Sequence, residues 1–521
     1  MTKNYLLSIL CFATIVLGVY ALTPKRFRYI VLLVASVIAI FFYSKFMGFF
    51  VILTALSTYL CGLGIFKLEE KTAPLLRDLD KPTRKKKRKV LQKKKYAIMA
   101  VAVVVNLGIL LTLKYHNFFS SSLASFFTLF GVETHFVAIK LLLPIGISYY
   151  TLQALGYIID VAQGKYEAER NPMKLMLFVC FFPQLFEGPI GRYNEMKDEL
   201  TLGAPVASEN VLRGWLDVIW GFFKIMIISN RLGIVTGEIF KNYTLYGGFT
   251  IIFAMLAFTI QLYAEFSGYI NLASGISKMY GIHLKKNFDL PFLATNVPDF
   301  WRRWHISLGA WFRDYLFYPI AASNFSLKIQ SKDTRASKVL GMLMTILTLF
   351  VIWFLTGLWH GASALYILYG IYYFVLMTSF ELTEPLFDRL WKALKIEGKP
   401  IVKIFGVVKT LVFVNIGMLL FRATSPQAFG HMFGSIFTSA NIWFDLFAFI
   451  DRKDFVILIV GLAVLLISGI VGAKKISVPD HIVALPYVAK TAILIAVVVF
   501  IIIFGAYGYG YIPPDPIYGG F

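Results

Sequence analysis

VLGMLMTILTLFVIWFLTGLWHGASALYILYGIYYFVLM, residues 339–377, contains no Asp, Glu, Lys or Arg. Wound as one helix at about 1.5 Å per residue, it would reach about 58 Å, nearly twice the ~30 Å hydrocarbon core of a bilayer. The run must therefore fold back on itself. Thr356-Gly357-Leu358-Trp359-His360-Gly361-Ala362 supplies the break: its two glycines loosen the helix and, lacking a Cβ, let neighbouring backbone come close. By run length alone, His360 falls near a membrane surface.

The rest of the chain has the same character. Of 521 residues, 58% are hydrophobic and 15% charged, and the mean hydropathy is +0.70. Apolar runs of about 20 residues recur, enough for about ten to twelve spans. An all-α polytopic membrane protein, one integral membrane domain over 1–521, is the expectation. The first run, Tyr5 to Tyr20, has no small-residue cleavage signal and reads as a retained span rather than a signal peptide.

Charge serves topology in such a chain. Fifty-one Lys and Arg against twenty-nine Asp and Glu give +22, and the excess lies mostly between apolar runs. Lys81 to Lys95, KPTRKKKRKVLQKKK, could pass for a nucleic-acid patch, but it lies between the runs 48–66 and 96–114 and reads as a cytoplasmic loop touching anionic lipid. The Pro24–Arg28 turn, the 165–174 segment and the loops 325–338 and 389–403 go to the same side, which sends the tail, 508–521, to the outside.

Two middle stretches are too polar for ordinary spans. Phe181 to Tyr193, FFPQLFEGPIGRY, sets two prolines, two glycines, Gln184, Glu187 and Arg192 in apolar surroundings. Such broken chain survives in a membrane only when packed in protein or lining a wet cavity, so it reads either as a re-entrant segment or as a surface loop. Asp299 to Tyr318, DFWRRWHISLGAWFRDYLFY, brings Trp301, Trp304, His305, Leu308, Trp311, Phe312 and Tyr315 round at helical spacing. That pattern predicts one amphipathic helix at the interface.

Histidine titrates nearest neutrality and is the natural proton carrier. Of seven, only His305 and His360 join an apolar neighbourhood to polar or glycine-rich chain; His116, His135, His283, His431 and His481 read as loop or loop-flanking residues. Among acidic residues in apolar context, Glu265 and Asp160 either end spans or serve a pathway, and Glu265 is a candidate to orient a histidine or pair with Arg302 or Arg303. No G-x-S-x-G, P-loop or dinucleotide motif appears, and no metal-ligand spacing; the cysteines, Cys11, Cys61 and Cys180, stand singly.

Five stretches in order, LPIGISYYTLQALGYIIDV at 143–161, FFPQLFEGPIGRY at 181–193, QLYAEFSGYIN at 261–271, DFWRRWHISLGAWFRDYLFYP at 299–319 and TGLWHGA at 356–362, resemble the membrane-bound O-acyltransferase family. The first three look like its bacterial alginate O-acetyltransferase branch; the D-alanyl transfer branch of teichoic acid modification shares the two histidine regions. The motif-bearing core is 140–375. The resemblance implies a helical bundle around a central tunnel, with His360 as general base for an acceptor hydroxyl and His305 as its partner. It lays Trp304, Trp359, Glu265, Arg302, Arg303, Asp314, Gln184 and Glu187 along the tunnel or behind it, which puts His360 deeper than run length suggests.

The same resemblance implies an acyl thioester co-substrate, acetyl-CoA or a carrier-protein phosphopantetheine thioester, with no bound cofactor and no metal. It further implies an extracytoplasmic acyltransferase partner, a cell-surface glycan as acceptor, a cell-membrane location and no nucleic acid. The terminal Pro516-Ile517-Tyr518-Gly519-Gly520-Phe521 is similar to the F-x-Y-x-x-F ending of surface O-acylation proteins, with Pro516 in place of the first Phe, and makes Tyr518 a candidate acyl relay. The competing readings are D-alanyl transfer to teichoic acid, a lipid-linked glycan transporter using Glu265, Asp160 and Glu187, and a scaffold that leaves the histidines without a task.

Overall fold

The computed structural model describes residues 5–132, 143–185, 187–323, 326, 327, 329, 334–439 and 446–507. Among these, nine helices are long and apolar enough to cross a membrane, and two shorter apolar helices, Ser8–Leu22 and Pro172–Leu185, join them. One of the nine, Lys25–Thr72, is broken at Lys45, whose φ is 50°. This is an all-α, multi-pass membrane protein. Its chain gathers into two compact units, one of Leu6–Val211 with Ile276–Lys285, the other of Leu212–Gly275 with Lys286 onward.

The first unit holds α1 (Tyr5–Leu22), α2 (Arg28–Ser44), α3 (Phe49–Thr72), α4 (Lys81–Thr128), α5 (Ile147–Gln163), α6 (Pro172–Cys180), α7 (Phe182–Leu185) and α8 (Tyr193–Thr201). The basic run is not a loop. Lys81 to Lys95 forms the first four turns of α4, a helix of 48 residues and about 72 Å. Cations at a helix N-terminus oppose the macrodipole, so the helix needs help there. Asp80 supplies it by accepting the Thr83 N–H at 3.3 Å, and Pro82 sits in the first turn. Once started, the helix runs on into its apolar part, held by Lys95 to Glu69 at 2.5 Å and Gln92 to the Ala162 carbonyl at 2.8 Å. His116 lies on this helix too, not in a loop.

Phe181 to Tyr193 is broken chain packed inside protein, which removes the surface-loop reading. Gln184 Nε2 donates to the Pro189 carbonyl at 2.9 Å, Gln153 Nε2 donates to Gln184 Oε1 at 3.3 Å, and the Phe182 N–H reaches Ser36 Oγ at 3.1 Å. Backbone freed from helix is thus satisfied by side chains from α2 and by Gln184 within the segment itself, as burial demands. Glu187 is buried here at a φ of 63°. Asp160, in the last turn of α5, forms an ion pair with Lys165 at 2.6 Å.

The second unit begins within α9 (Ser208–Phe223), which continues through a π-turn, Lys224–Ser229, into α10 (Asn230–Lys241), and takes in most of α11 (Gly248–Met279). It goes on with α12 (Val297–Arg303), α13 (Ile306–Phe312), α14 (Tyr318–Ala321), α15 (Arg335–His360), α16 (Ala364–Ala393), α17 (Pro400–Arg422), α18 (Pro426–Thr438), α19 (Arg452–Ala473), α20 (Val478–Ala484) and α21 (Tyr487–Phe504). Both histidines of interest belong to it.

The fold-back expected in 339–377 is the α15–α16 hairpin, and its break falls at Gly361 to Ser363. Thr334 starts α15 with a reciprocal capping box to Ser337. Ser363 starts α16 by accepting the Leu365 N–H at 3.3 Å. Gly357 and Gly370 face each other where the two helices cross. A Cβ on Gly357 would strike the Tyr366 carbonyl oxygen, and one on Gly370 the Trp353 carbonyl oxygen, so the crossing is closer than any larger residue permits.

Candidate active site

His360 is the last residue of α15, buried at 2% exposure. Its imidazole is ringed by aromatic side chains: Trp359 at 5.0 Å between centroids, Phe421 of α17 at 5.1 Å, and Tyr369 and Tyr366 of α16 at 5.6 and 6.2 Å. The hairpin fixes three of these partners, since Tyr366 and Tyr369 lie in the first turns after the break. A histidine at a helix C-terminus also suits the dipole when it takes up a proton.

His305 is presented differently. The single helix expected over 299–318 is interrupted: α12 stops at Arg303, Trp304 is extended, and His305 takes the left-handed region, φ 50° and ψ 49°, before α13 begins. The backbone groups that would have closed the helix are spent elsewhere. Asp289 N–H donates to the Arg303 carbonyl at 2.9 Å, Ile306 N–H donates to the Asn287 carbonyl at 3.0 Å, and Phe288 bridges Trp304. Asn287 then caps α13 by accepting the Ser307 N–H on Oδ1 at 2.9 Å. A left-handed residue that is not glycine is held only by surroundings that over-determine it, and here the 287–289 segment does so.

The side-chain faces still follow the spacing. Trp304, His305, Leu308, Trp311, Phe312 and Tyr315 are buried, and Arg302 and Arg313 are exposed. His305 packs edge-on to Phe266 of α11 at 4.8 Å and to Trp359 at 5.6 Å. Trp301, one turn earlier, packs on Trp353 and Tyr373, both at 4.9 Å. The broken segment is therefore stitched to the hairpin twice, and the Trp359 indole touches both histidines.

The remaining candidates separate. Trp304 is buried against Phe288, Phe300 and Tyr263, a packing residue one step from His305. Glu265 is buried and accepts the Ser229 hydroxyl at 3.2 Å. The arginines offered to it as partners close on Asp299 of their own helix, Arg302 at 3.4 Å and Arg303 at 3.0 Å. Asp314 pairs with its neighbour Arg313 at 2.9 Å. Gln184 and Glu187 belong to the first unit, and Tyr518 lies outside the described residues. The spacing missed Asn287 and Phe266, which set His305, and Phe421, which closes round His360. Phe266 lies inside the QLYAEFSGYIN stretch without standing out in it, and Asn287 left the trace of a polar residue opening NFDLP between two basic residues and a proline.

No protein-family model matches the chain. Curated relatives do. It is 32% identical over 434 residues to a probable alginate O-acetylase of Pseudomonas syringae pv. tomato, covering 82% of this chain and 73% of the relative. It is 26% identical to a peptidoglycan O-acetyltransferase of Helicobacter pylori, over 63% of this chain and 62% of that one. With the teichoic acid D-alanyltransferase of Bacillus subtilis it shares 30% identity over 55% of this chain and 70% of the other. With this similarity spanning most of its length, the chain belongs to the membrane-bound O-acyltransferase family, multi-pass membrane enzymes that transfer acyl groups to hydroxyls.

Proposed function

We propose that this enzyme carries an acyl group, acetyl, from a cytoplasmic thioester to a hydroxyl of an extracytoplasmic cell-surface polysaccharide, with His360 as general base. The observation that carries the reading is the packing of both His360 and His305 on Trp359, in a chain similar over four-fifths of its length to alginate O-acetylases.

In the reaction, His360 takes the proton of the acceptor hydroxyl as its oxygen attacks the thioester carbonyl carbon. The C–O bond forms, the carbonyl becomes an oxyanion, and its collapse breaks the C–S bond; the departing thiolate recovers the proton from the imidazolium. General-base help of this kind contributes roughly 10²–10⁴ in rate. The aromatic wall around His360 suits the chemistry, because a thioester exposed to water would be lost to hydrolysis. The donor is acetyl-CoA or a carrier-protein thioester, for which the basic N-terminal turns of α4 supply favourable charge. Tyr518 would act as a relay at the outer mouth of a tunnel, handing the acyl group to a separate extracytoplasmic transferase.

The test is the O-acetyl content of surface glycan in cells lacking the protein and complemented with wild type, His360→Ala or Tyr518→Phe at equal membrane levels. Loss of acetyl esters with His360→Ala supports the chemistry, and parallel loss with Tyr518→Phe supports the relay, since phenylalanine has no hydroxyl to acylate. Full acetylation with His360→Ala overturns the reading; D-alanyl esters lost in place of acetyl esters would assign the other branch.

A further inference from the structure

Asn287 does more than cap a helix. Its side chain lies between a backbone group of known polarity and a ring of unknown tautomer, and so decides the tautomer. The Ser307 N–H can only donate, so the Asn287 atom 2.9 Å from it is the carbonyl oxygen Oδ1. That orientation turns Nδ2, which can only donate, toward Nδ1 of His305 at 3.4 Å. Nδ1 must then offer its lone pair, and a neutral imidazole with a lone pair on Nδ1 carries its proton on Nε2.

The ring is neutral by its surroundings. His305 is 2% exposed, its ring neighbours are Phe266 and Trp359, and among the described residues no carboxylate pairs with it. Its Nε2 is buried without a hydrogen-bond partner among the described residues. A buried N–H donor left unpaired is costly, and at a site of this kind it points to an absent acceptor.

We propose that Asn287 is a positioning residue that locks His305 into the Nε2–H tautomer, making His305 a hydrogen-bond donor to the carbonyl oxygen of the bound acyl donor rather than a second base. This rests on the acyl-transfer reading above. The oxygen gains negative charge as the acceptor attacks, and a pre-aimed N–H strengthens as that charge develops. The pair of histidines thus divides the work: His360 moves the proton and His305 holds the oxyanion.

Two measurements test this on the full-length protein in detergent. The first is ¹⁵N NMR of protein labelled at the histidine imidazoles, with the His305 signals assigned by their absence in His305→Gln. The expected result is a protonated, pyrrole-type Nε2 and a pyridine-type Nδ1 in wild type, reversed to a protonated Nδ1 in Asn287→Asp, where a carboxylate oxygen replaces the amide donor while Oδ1 still caps Ser307. A wild-type ring protonated on Nδ1, or a tautomer unmoved by Asn287→Asp, overturns the proposal, and wild type alone suffices for the first of these outcomes.

The second is turnover. A glutamine amide reaches about where Nε2 lies, so His305→Gln should keep activity within about tenfold of wild type, while His305→Asn, which reaches only to the Nδ1 position, should lose about 10²–10³. Equal, complete losses in both variants with wild-type elution profiles overturn the donor role. The two readings fail separately: an active His360→Gln would sink the general-base chemistry without touching the tautomer, which NMR reads in the absence of any reaction.

Discussion

His360 and His305 lean on the same tryptophan, yet the chain delivers them by opposite means. His360 closes a regular 26-residue helix, and everything that fixes its depth along that helix is local: the capping box at Thr334, the unbroken apolar run and the stop at Gly361. His305 sits where a helix has been interrupted, in a left-handed conformation imposed by residues 287–289, about eighteen positions upstream. One residue is placed by propensity and the other by tertiary contact. The difference teaches that His360 can be found from local pattern while the setting of His305 cannot, and that the two should respond differently to mutation.

The largest expected effect is on the locally placed residue. His360→Ala should lower kcat by roughly 10²–10⁴, with KM for the donor little changed, because general-base help is realised only in the transition state. Steady-state kinetics on purified protein decides it; a variant that instead raised KM with kcat intact would make His360 a binding residue. Next comes the tertiary support. Asn287→Ala removes the cap on Ser307 and the donor to His305 Nδ1 while leaving α15 untouched. We expect kcat to fall on the order of 10–10², less than loss of an oxyanion donor outright, since the ring can still visit the productive tautomer. A fall as deep as that of His360→Ala would mean that Asn287 holds the whole site, and the comparison would lose its contrast.

Gly357→Ala tests the local side of the comparison from the other direction. The new methyl must displace the Tyr366 carbonyl, so the α15–α16 crossing has to open. Overpacking of this kind costs about 1–3 kcal/mol, visible as a lower melting temperature in detergent. Because Tyr366 and Tyr369 move with α16, the box around His360 should loosen while the 287–307 bridges persist. Melting unchanged from wild type would show that the two helices have room the packing denies.

How far each region could be read in advance follows from the same distinction. The spans, the fold-back near residue 360 and the buried face of 299–318 are consequences of hydropathy and spacing, and the structure has them. The basic run misled because charge density reads as loop, whereas Asp80 and Pro82 start a helix that its apolar continuation carries through ten cations. The break at Trp304 and His305 misled because period alone predicts continuity; the competing hydrogen bonds come from Asn287 and Asp289, which no local pattern connects to it. Arg302 and Arg303, which the sequence offers as partners for Glu265, have one closer in the chain. Asp299 stands three and four residues from Arg302 and Arg303, within reach on one helix face, and takes both.

That last pair of bridges gives the smallest effect and the sharpest control. Arg302 is 70% exposed at its side chain and Arg303 33%, against 17% for Asp299, so water screens much of their attraction. Exposed i, i+3 and i, i+4 pairs contribute about 0.2–1 kcal/mol. Asp299→Asn keeps the side chain's shape and the helix's first turn, so its melting temperature should shift little and its turnover should stay near wild type. If turnover instead dropped as it does for Asn287→Ala while melting stayed put, the charges on α12 would belong to the chemistry, and His305 would owe its placement to the helix before it as much as to the 287–289 segment that bridges it.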